Sequence, residues 1–245
     1  MRNNSFNRIF SSALIFFIIT ASAAAQSTKL PTTDSFAAES SELAGVLSRS
    51  GRGLNSTVID TVKFIPRHRF IDAAYRSIAY ADIALPGFDS AIVPSPGDLV
   101  TAVSLLSPDS DDTILIAGNN AGYAAALLSR LCAEVYLIEE TSGVSIYREL
   151  YTELGIENIH IAENADMRAF GEIIAFDKIF IHAAASELSE RVTERLAIQG
   201  NITFIIALEG SFQQLISLRR SLLGDSIISA GNCYFPKNHR LKIGN

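Results

Sequence analysis

Two stretches decide the fold of this chain: Thr113–Tyr123, reading TILIAGNNAGY, and Val135–Glu140, reading VYLIEE. The first is a short apolar run that ends in a turn bounded by Gly118 and Gly122. Ala124–Leu131 follows and is a good helix former. The second apolar run then closes on an acid. Strand, tight turn, helix, strand and acid in that order form the first half of a doubly wound nucleotide-binding sheet. Glycine in the turn lets backbone approach a ligand with no Cβ in the way. The helix start offers free N–H groups, and Glu139 at the end of the second run can accept hydrogen bonds from a ribose diol. Asn119, Asn120 and Ala121 stand between the two glycines, so the G-x-G spacing is interrupted. Glu139 and Glu140 could also be a solvated acidic pair.

Downstream the alternation continues. Strands are expected at Ile159–Ala162, Lys178–His182 and Ile202–Ala207, with helices at Gly143–Leu154 and Ser189–Ile198. Leu154-Gly155 and Gln199-Gly200 read as helix stops. Alternating strands and helices predict a largely parallel sheet covered on both faces. The tail changes character: Leu215–Arg220 and Ser226–Phe235, around Gly224 and Gly231, predict an antiparallel hairpin on one edge. Upstream, Glu42–Arg49 and Ser56–Phe64 carry apolar residues at helical spacing, and Pro66 ends the second. Pro66–Phe70 is a basic knot that composition alone reads as a solvated turn. Asp72–Tyr80 suggests a helical turn, Leu85–Pro96 a proline-shaped loop, and Asp98–Leu106 a helix with an acid at its start. The expected organisation is a lead-in over 26–41, a helical and loop segment over 42–110, and a Rossmann-like domain over 111–245.

At 245 residues the chain can bury one full α/β core. Hydrophobic residues make up 48% and charged residues 19%, which excludes a disordered chain. A net charge of −6 argues against a nucleic-acid partner. Two cysteines without a Cys/His cluster argue against a zinc site, and no metal is expected. The first 25 residues are a separate object. Arg2 and Arg8 precede the apolar run Ile9–Thr20, and small residues at Ala21–Ala25 follow. That is the form of a secretory signal peptide, too short for a comfortable span of about 20 residues. Export without a stable membrane anchor is the expectation, with a cytoplasmic location if the N-terminus is retained.

Several motifs in register resemble the protein-L-isoaspartate O-methyltransferases. Phe64–Ile71, FIPRHRFI, is similar to that family's V-P-R-H-R-F-V. Ala79–Asp82 with Leu85-Pro86 is similar to its A-Y-x-D and L-P. Val135–Glu139 resembles its V-Y-S-I-E, and Leu154-Gly155, Asn158, Phe176-Asp177, Ala183-Ala184 and Gly200 match in order. Tyr234-Phe235-Pro236 resembles its terminal F-V-P. The resemblance runs from about Leu43 to Pro236. It implies the methyltransferase fold, S-adenosylmethionine as cofactor, and isoaspartyl-containing proteins or peptides as substrates. It places Gly118, Asn120, Gly122 and Glu139 at the cofactor, with Asp166 as a candidate near the adenine.

The departures from the family pattern fall on the chemistry. The family's first-motif acid is Ile116 here, and its middle glycine is Asn120. Its substrate-side serine is Pro94, leaving Ser95 as the catalytic candidate. Its G-D-G near the adenine is Asn164-Ala165-Asp166. Two functions from different classes follow: an S-adenosylmethionine-dependent carboxyl methyltransferase, active or weakly so, or an exported non-catalytic descendant that serves as a binding module or scaffold. His160 and His182 alternate within strands and read as packed or hydrogen-bonded groups, with His182 near the site. Cys132 and Cys233 could pair in an oxidising compartment.

Overall fold

The computed structural model describes residues 33–139, 141–163, 170, 175–185, 190–208 and 212–235. The N-terminal stretch with the form of a signal peptide, Glu140, the segment Asn164–Asp166 and Pro236 lie outside them. The chain opens with helix α1 (Thr33–Arg49), so the lead-in expected over 26–41 gives way to helix by Thr33. Ser and Ala there are compatible with a helix, and packing supplies the rest: Leu43, Ala44 and Leu47 bury against Val58, Ile59 and Val62 around α2 (Ser56–Thr61). Asn55 caps α2, its side chain accepting from Thr57 N at 2.8 Å.

Three short 3-10 turns and a two-stranded ladder follow. Strands β1 (Leu85–Pro86) and β2 (Ile92–Val93) pair antiparallel, with Leu85 opposite Val93. Between them lies the turn Phe88–Ser90, in which Asp89 has φ 53°. The basic knot is not a solvated turn. Arg67 is fully buried, and its guanidinium donates to the carbonyls of Ala79 (2.5 Å), Ile83 (3.0 Å) and Pro94 (3.0 Å). One side chain thus ties two separate segments, Ala79–Ile83 and the one at Pro94, to its own, because a buried guanidinium must find acceptors for its N–H groups. Burial pulls its pKa down to about 10, still well above neutrality. Helix α3 (Pro96–Leu106) begins directly after this loop.

The main sheet comprises β3 (Thr113–Ala117), β4 (Glu134–Glu139), β5 (Ile159–Glu163), β6 (Phe176–Ala185), β7 (Leu196–Ala207), β8 (Gln213–Arg219) and β9 (Ser226–Asn232). Among the described residues it has the order β5-β4-β3-β6-β7-β8-β9. The first five strands are mutually parallel, and β8 and β9 close it antiparallel. This is the expected doubly wound α/β architecture with an antiparallel C-terminal edge. Alternation along β3 sends Ile114 and Ile116 to one face, against α3 and α4 (Gly122–Leu128), and Leu115 and Ala117 to the other, with Ile179, Ile202 and Val192. Helix α5 (Thr141–Glu153) connects β4 to β5.

The helix expected over Ser189–Ile198 is shorter. Only α6 (Glu190–Thr193) is helical, and Leu196–Ile198 already belong to β7, with Leu196 opposite Phe176. Gln199, at φ 69°, and Gly200 form an irregularity in that strand rather than a helix stop. A Cβ on Gly200 would lie 2.8 Å from the carbonyl oxygens of Ala197 and Asp177. The same dipeptide chemistry serves a helix C-terminus and a strand bulge.

Candidate cofactor site

Running β3, β4 and β5 outward and then returning to β6 creates a topological switch point between β3 and β6. Ligands of open α/β sheets bind outside the carboxyl ends of the strands at such a point. The turn after β3 and the C-terminal half of β6 meet there closely: a Cβ on Gly118 would sit 2.5 Å from the carbonyl oxygen of His182. Gly118 is therefore required by contact, independently of any ligand.

The sequence places Gly118, Asn120, Gly122 and Glu139 together, and the structure assembles all four. Glu139 ends β4 and lies beside the turn, but it is almost wholly buried. Its Oε1 accepts from Asn120 N at 3.0 Å and its Oε2 from Ala121 N at 3.0 Å. The carboxylate thus serves as the acceptor for two N–H groups just before α4, a helix without a side-chain cap of its own. An anion suits that place because N–H groups and helix dipole both point at it.

Asn120 adopts φ 52°, a left-handed backbone that Asn tolerates. Its side chain is buried and spent in three directions. Nδ2 donates to the carbonyls of Phe88 at 3.0 Å and Ala91 at 2.7 Å, while Oδ1 accepts from the Tyr147 hydroxyl at 2.6 Å. Three elements meet at this amide: the turn after β3, the β1–β2 loop and α5. Two glycines make room for it. A Cβ on Gly87 would lie 2.8 Å from Asn120 Nδ2, and one on Gly122 would lie 2.1 Å from the Tyr147 ring. Tyr151 adds a further tie, donating to Gly122 O at 2.9 Å. Burial raises the pKa of both tyrosines well above the ordinary value, with the nearby Glu139 charge adding to it, so both hydroxyls stay protonated donors.

Ser95 does not point freely into the site. It is the N-cap of α3, its Oγ accepting from Asp98 N at 3.1 Å. Pro94, where the resemblance expects a serine, is buried and offers its carbonyl to Arg67. Ile116 is fully buried in the apolar layer with α3 and α4. Asp166 lies outside the described residues. His182 is buried within β6 between Phe180 and Phe235, with ring centroids 5.5 and 5.4 Å away. Burial pushes its pKa down to about 4, against a smaller opposing pull from the backbone at Asn119. His160 is instead an exposed partner of Glu134, at 2.7 Å. Cys132 and Cys233 are both free thiols. Among the described residues, no group of three or more His, Cys, Asp or Glu could hold a metal ion, and no helix is long and apolar enough to cross a membrane.

Residues 38–233 match the description of the family Protein-L-isoaspartate(D-aspartate) O-methyltransferase. The chain belongs to this family. Among its relatives, the protein-L-isoaspartate O-methyltransferase of Desulfosudis oleivorans is 30% identical over 188 residues, 76% of this chain and 85% of that protein. The one from Nitrosomonas europaea is 34% identical over 154 residues, 61% of this chain and 69% of that protein. A solved protein-L-isoaspartate O-methyltransferase superposes with a TM-score of 0.72 at 21% identity, covering 81% of this chain and 65% of that one. A putative member from Plasmodium falciparum, in complex with S-adenosyl-L-homocysteine, superposes with a TM-score of 0.66 at 20% identity, over 83% of this chain and 98% of that one. S-adenosylmethionine is the cofactor of this family.

The position of the site fits that cofactor, but the side-chain bonding does not. The acceptor expected to hold the ribose already holds the turn, and the amide of Asn120 bridges from the turn to the loop opposite. Sequence reasoning did not find this bridge. Its components Asn120, Phe88, Ala91 and Tyr147 are separated by about thirty residues on either side, and the one visible signal was an Asn where the family has glycine.

Proposed function

We propose that this chain is a weak S-adenosylmethionine-dependent carboxyl methyltransferase whose substrates are isoaspartyl residues in proteins or peptides. Family membership supports the reaction. The observation that carries the weakness is the internal bonding of Glu139 and Asn120. A carboxylate nucleophile is already ionised at neutral pH, so this reaction needs no general base, and the protein's task is alignment and exclusion of water. Catalysis is therefore sensitive to how well the site binds. Ser95 could donate its hydroxyl proton to a substrate while its oxygen caps α3, and Asp166 is retained as a candidate near the adenine.

A second reading is compatible with the same bonds: an exported descendant that keeps the fold as a scaffold and no longer turns over. The N-terminal pattern supports export, and an exported enzyme would be separated from a cytosolic methyl donor. The test is transfer of labelled methyl groups from S-adenosylmethionine to an isoaspartyl peptide by the chain beginning near Gln26. Slow incorporation that stops with S-adenosylhomocysteine supports the first reading. Folded protein with no incorporation leaves the scaffold.

A further inference from the structure

We propose that the Asn120 side chain is an internal ligand of the cofactor site, so that cofactor reaches the turn only by displacing this amide from the carbonyls of Phe88 and Ala91. This rests on the cofactor reading above and adds to it a residue that sets affinity and a loop that moves with binding. The geometry is specific. A buried amide with both donor bonds and its acceptor used is costly to remove, because each group left behind loses a partner. The surroundings are shaped for it: Gly87 clears its nitrogen, Gly122 clears the tyrosine that holds its oxygen, and the left-handed backbone aims the side chain across the turn.

The consequence is coupling. The segment from Gly87 to Val93 is anchored at two carbonyls by a residue of the cofactor turn, and its own closure is a bond from Gly87 N to Ala91 O at 2.7 Å. Ala91 O therefore accepts from both partners. Pulling Asn120 away leaves the loop held by its local turn, the short β1–β2 ladder, the edge contact of Phe88 with the Tyr147 ring and the buried Val93. The loop leads directly into Pro94 and Ser95, so cofactor entry and the arrangement of the substrate side become one event. A ligand that gains by displacing the amide shifts the loop by that differential affinity and no more.

Two variants test this. Asn120→Gly keeps a residue suited to φ 52° and removes the amide; Tyr147→Phe leaves the amide and removes its anchor. S-adenosylhomocysteine is titrated calorimetrically into the native chain and both variants, and hydrogen exchange is followed in the peptide covering 87–93. The expected result is at least tenfold tighter binding by Asn120→Gly than by the native chain, with Tyr147→Phe between them. Exchange at 87–93 should be faster in unliganded Asn120→Gly, and faster in the native chain once ligand is added. Equal affinity of native and Asn120→Gly overturns the internal ligand and leaves the cofactor reading standing. No binding by any of the three overturns both. Unchanged exchange at 87–93 in Asn120→Gly overturns the coupling whatever the affinities.

Discussion

Replacing Glu139 by Gln separates a carboxylate that builds the turn from one kept in reserve for a ligand. Two backbone N–H groups, of Asn120 and Ala121, end on its two oxygens at 3.0 Å each, in a buried setting. Hydrogen bonds to a charged group contribute about 1.5–3 kcal/mol each. Glutamine keeps one acceptor and offers an NH2 to the second N–H, so one such bond is lost. A buried donor then also faces a donor, at a further cost of about 1–3 kcal/mol. The expected destabilisation is about 3–5 kcal/mol. In a chain of this size each kcal/mol lowers the melting temperature by about 2–4 °C, so a drop on the order of 10 °C is expected. Urea unfolding followed by circular dichroism at neutral pH measures it, with Glu139→Asp as a control that keeps the charge and shortens the reach. A loss under about 1 kcal/mol for Glu139→Gln would refute the reasoning. Water, not the side chain, would then be satisfying the turn.

Three further outcomes are expected. His182 has a folded pKa near 4, below its ordinary 6.5, so the unfolded chain binds the extra proton first as pH falls. Its contribution is fully present above pH 6.5 and is lost as pH drops towards 4, by about 3 kcal/mol in all; stability curves should flatten over that window in His182→Gln, and an unchanged slope would count against a buried neutral ring. Arg67→Met leaves the carbonyls of Ala79, Ile83 and Pro94 without their donor and should cost more than about 3 kcal/mol in urea unfolding; a change within 1 kcal/mol would mean the loops hold themselves. Ile116→Glu, which brings back the family acid, places a carboxylate in the apolar layer with α3 and α4. It should lower the melting temperature by roughly 10 °C without a gain in S-adenosylhomocysteine affinity, as a buried charge without a partner would; tighter binding in calorimetry would show that the layer opens to admit it.

The central strands were legible because β3 and β4 are runs of apolar, β-branched residues bounded by a glycine turn and an acid, a local signal. The C-terminal hairpin was legible for the same reason. The start of α1 was not: Ser, Thr and Ala at 33–41 are neutral in a local reading, and the packing that holds the helix lies further along it, at Leu43, Ala44 and Leu47. The short α6 was misjudged because a pair such as Gln199-Gly200 serves helix ends and strand bulges alike, and only the pairing of Leu196 with Phe176 decides between them. At the site, position was readable and bonding was not. Gly118 and Glu139 lie at the ends of neighbouring strands, yet the chemistry of Glu139 depends on which N–H groups reach it first. Arg67 was read as solvated because nothing local reveals three carbonyls arriving from 12 to 27 residues away.

The central place of β3 also has a consequence for how the chain is made. Synthesis delivers the N-terminal side first, and β3, β4 and β5 can pair as they leave the ribosome. The other neighbour of β3 is β6, which arrives only after β5 and the segment that follows it. Until then Ile114–Ala117 present an open line of unpaired N–H and C=O groups at what will become the middle of the sheet, and an open edge of that kind recruits other strands. The nascent chain therefore passes through an interval in which its most buried strand is its most adhesive one, and chaperones have that interval to guard.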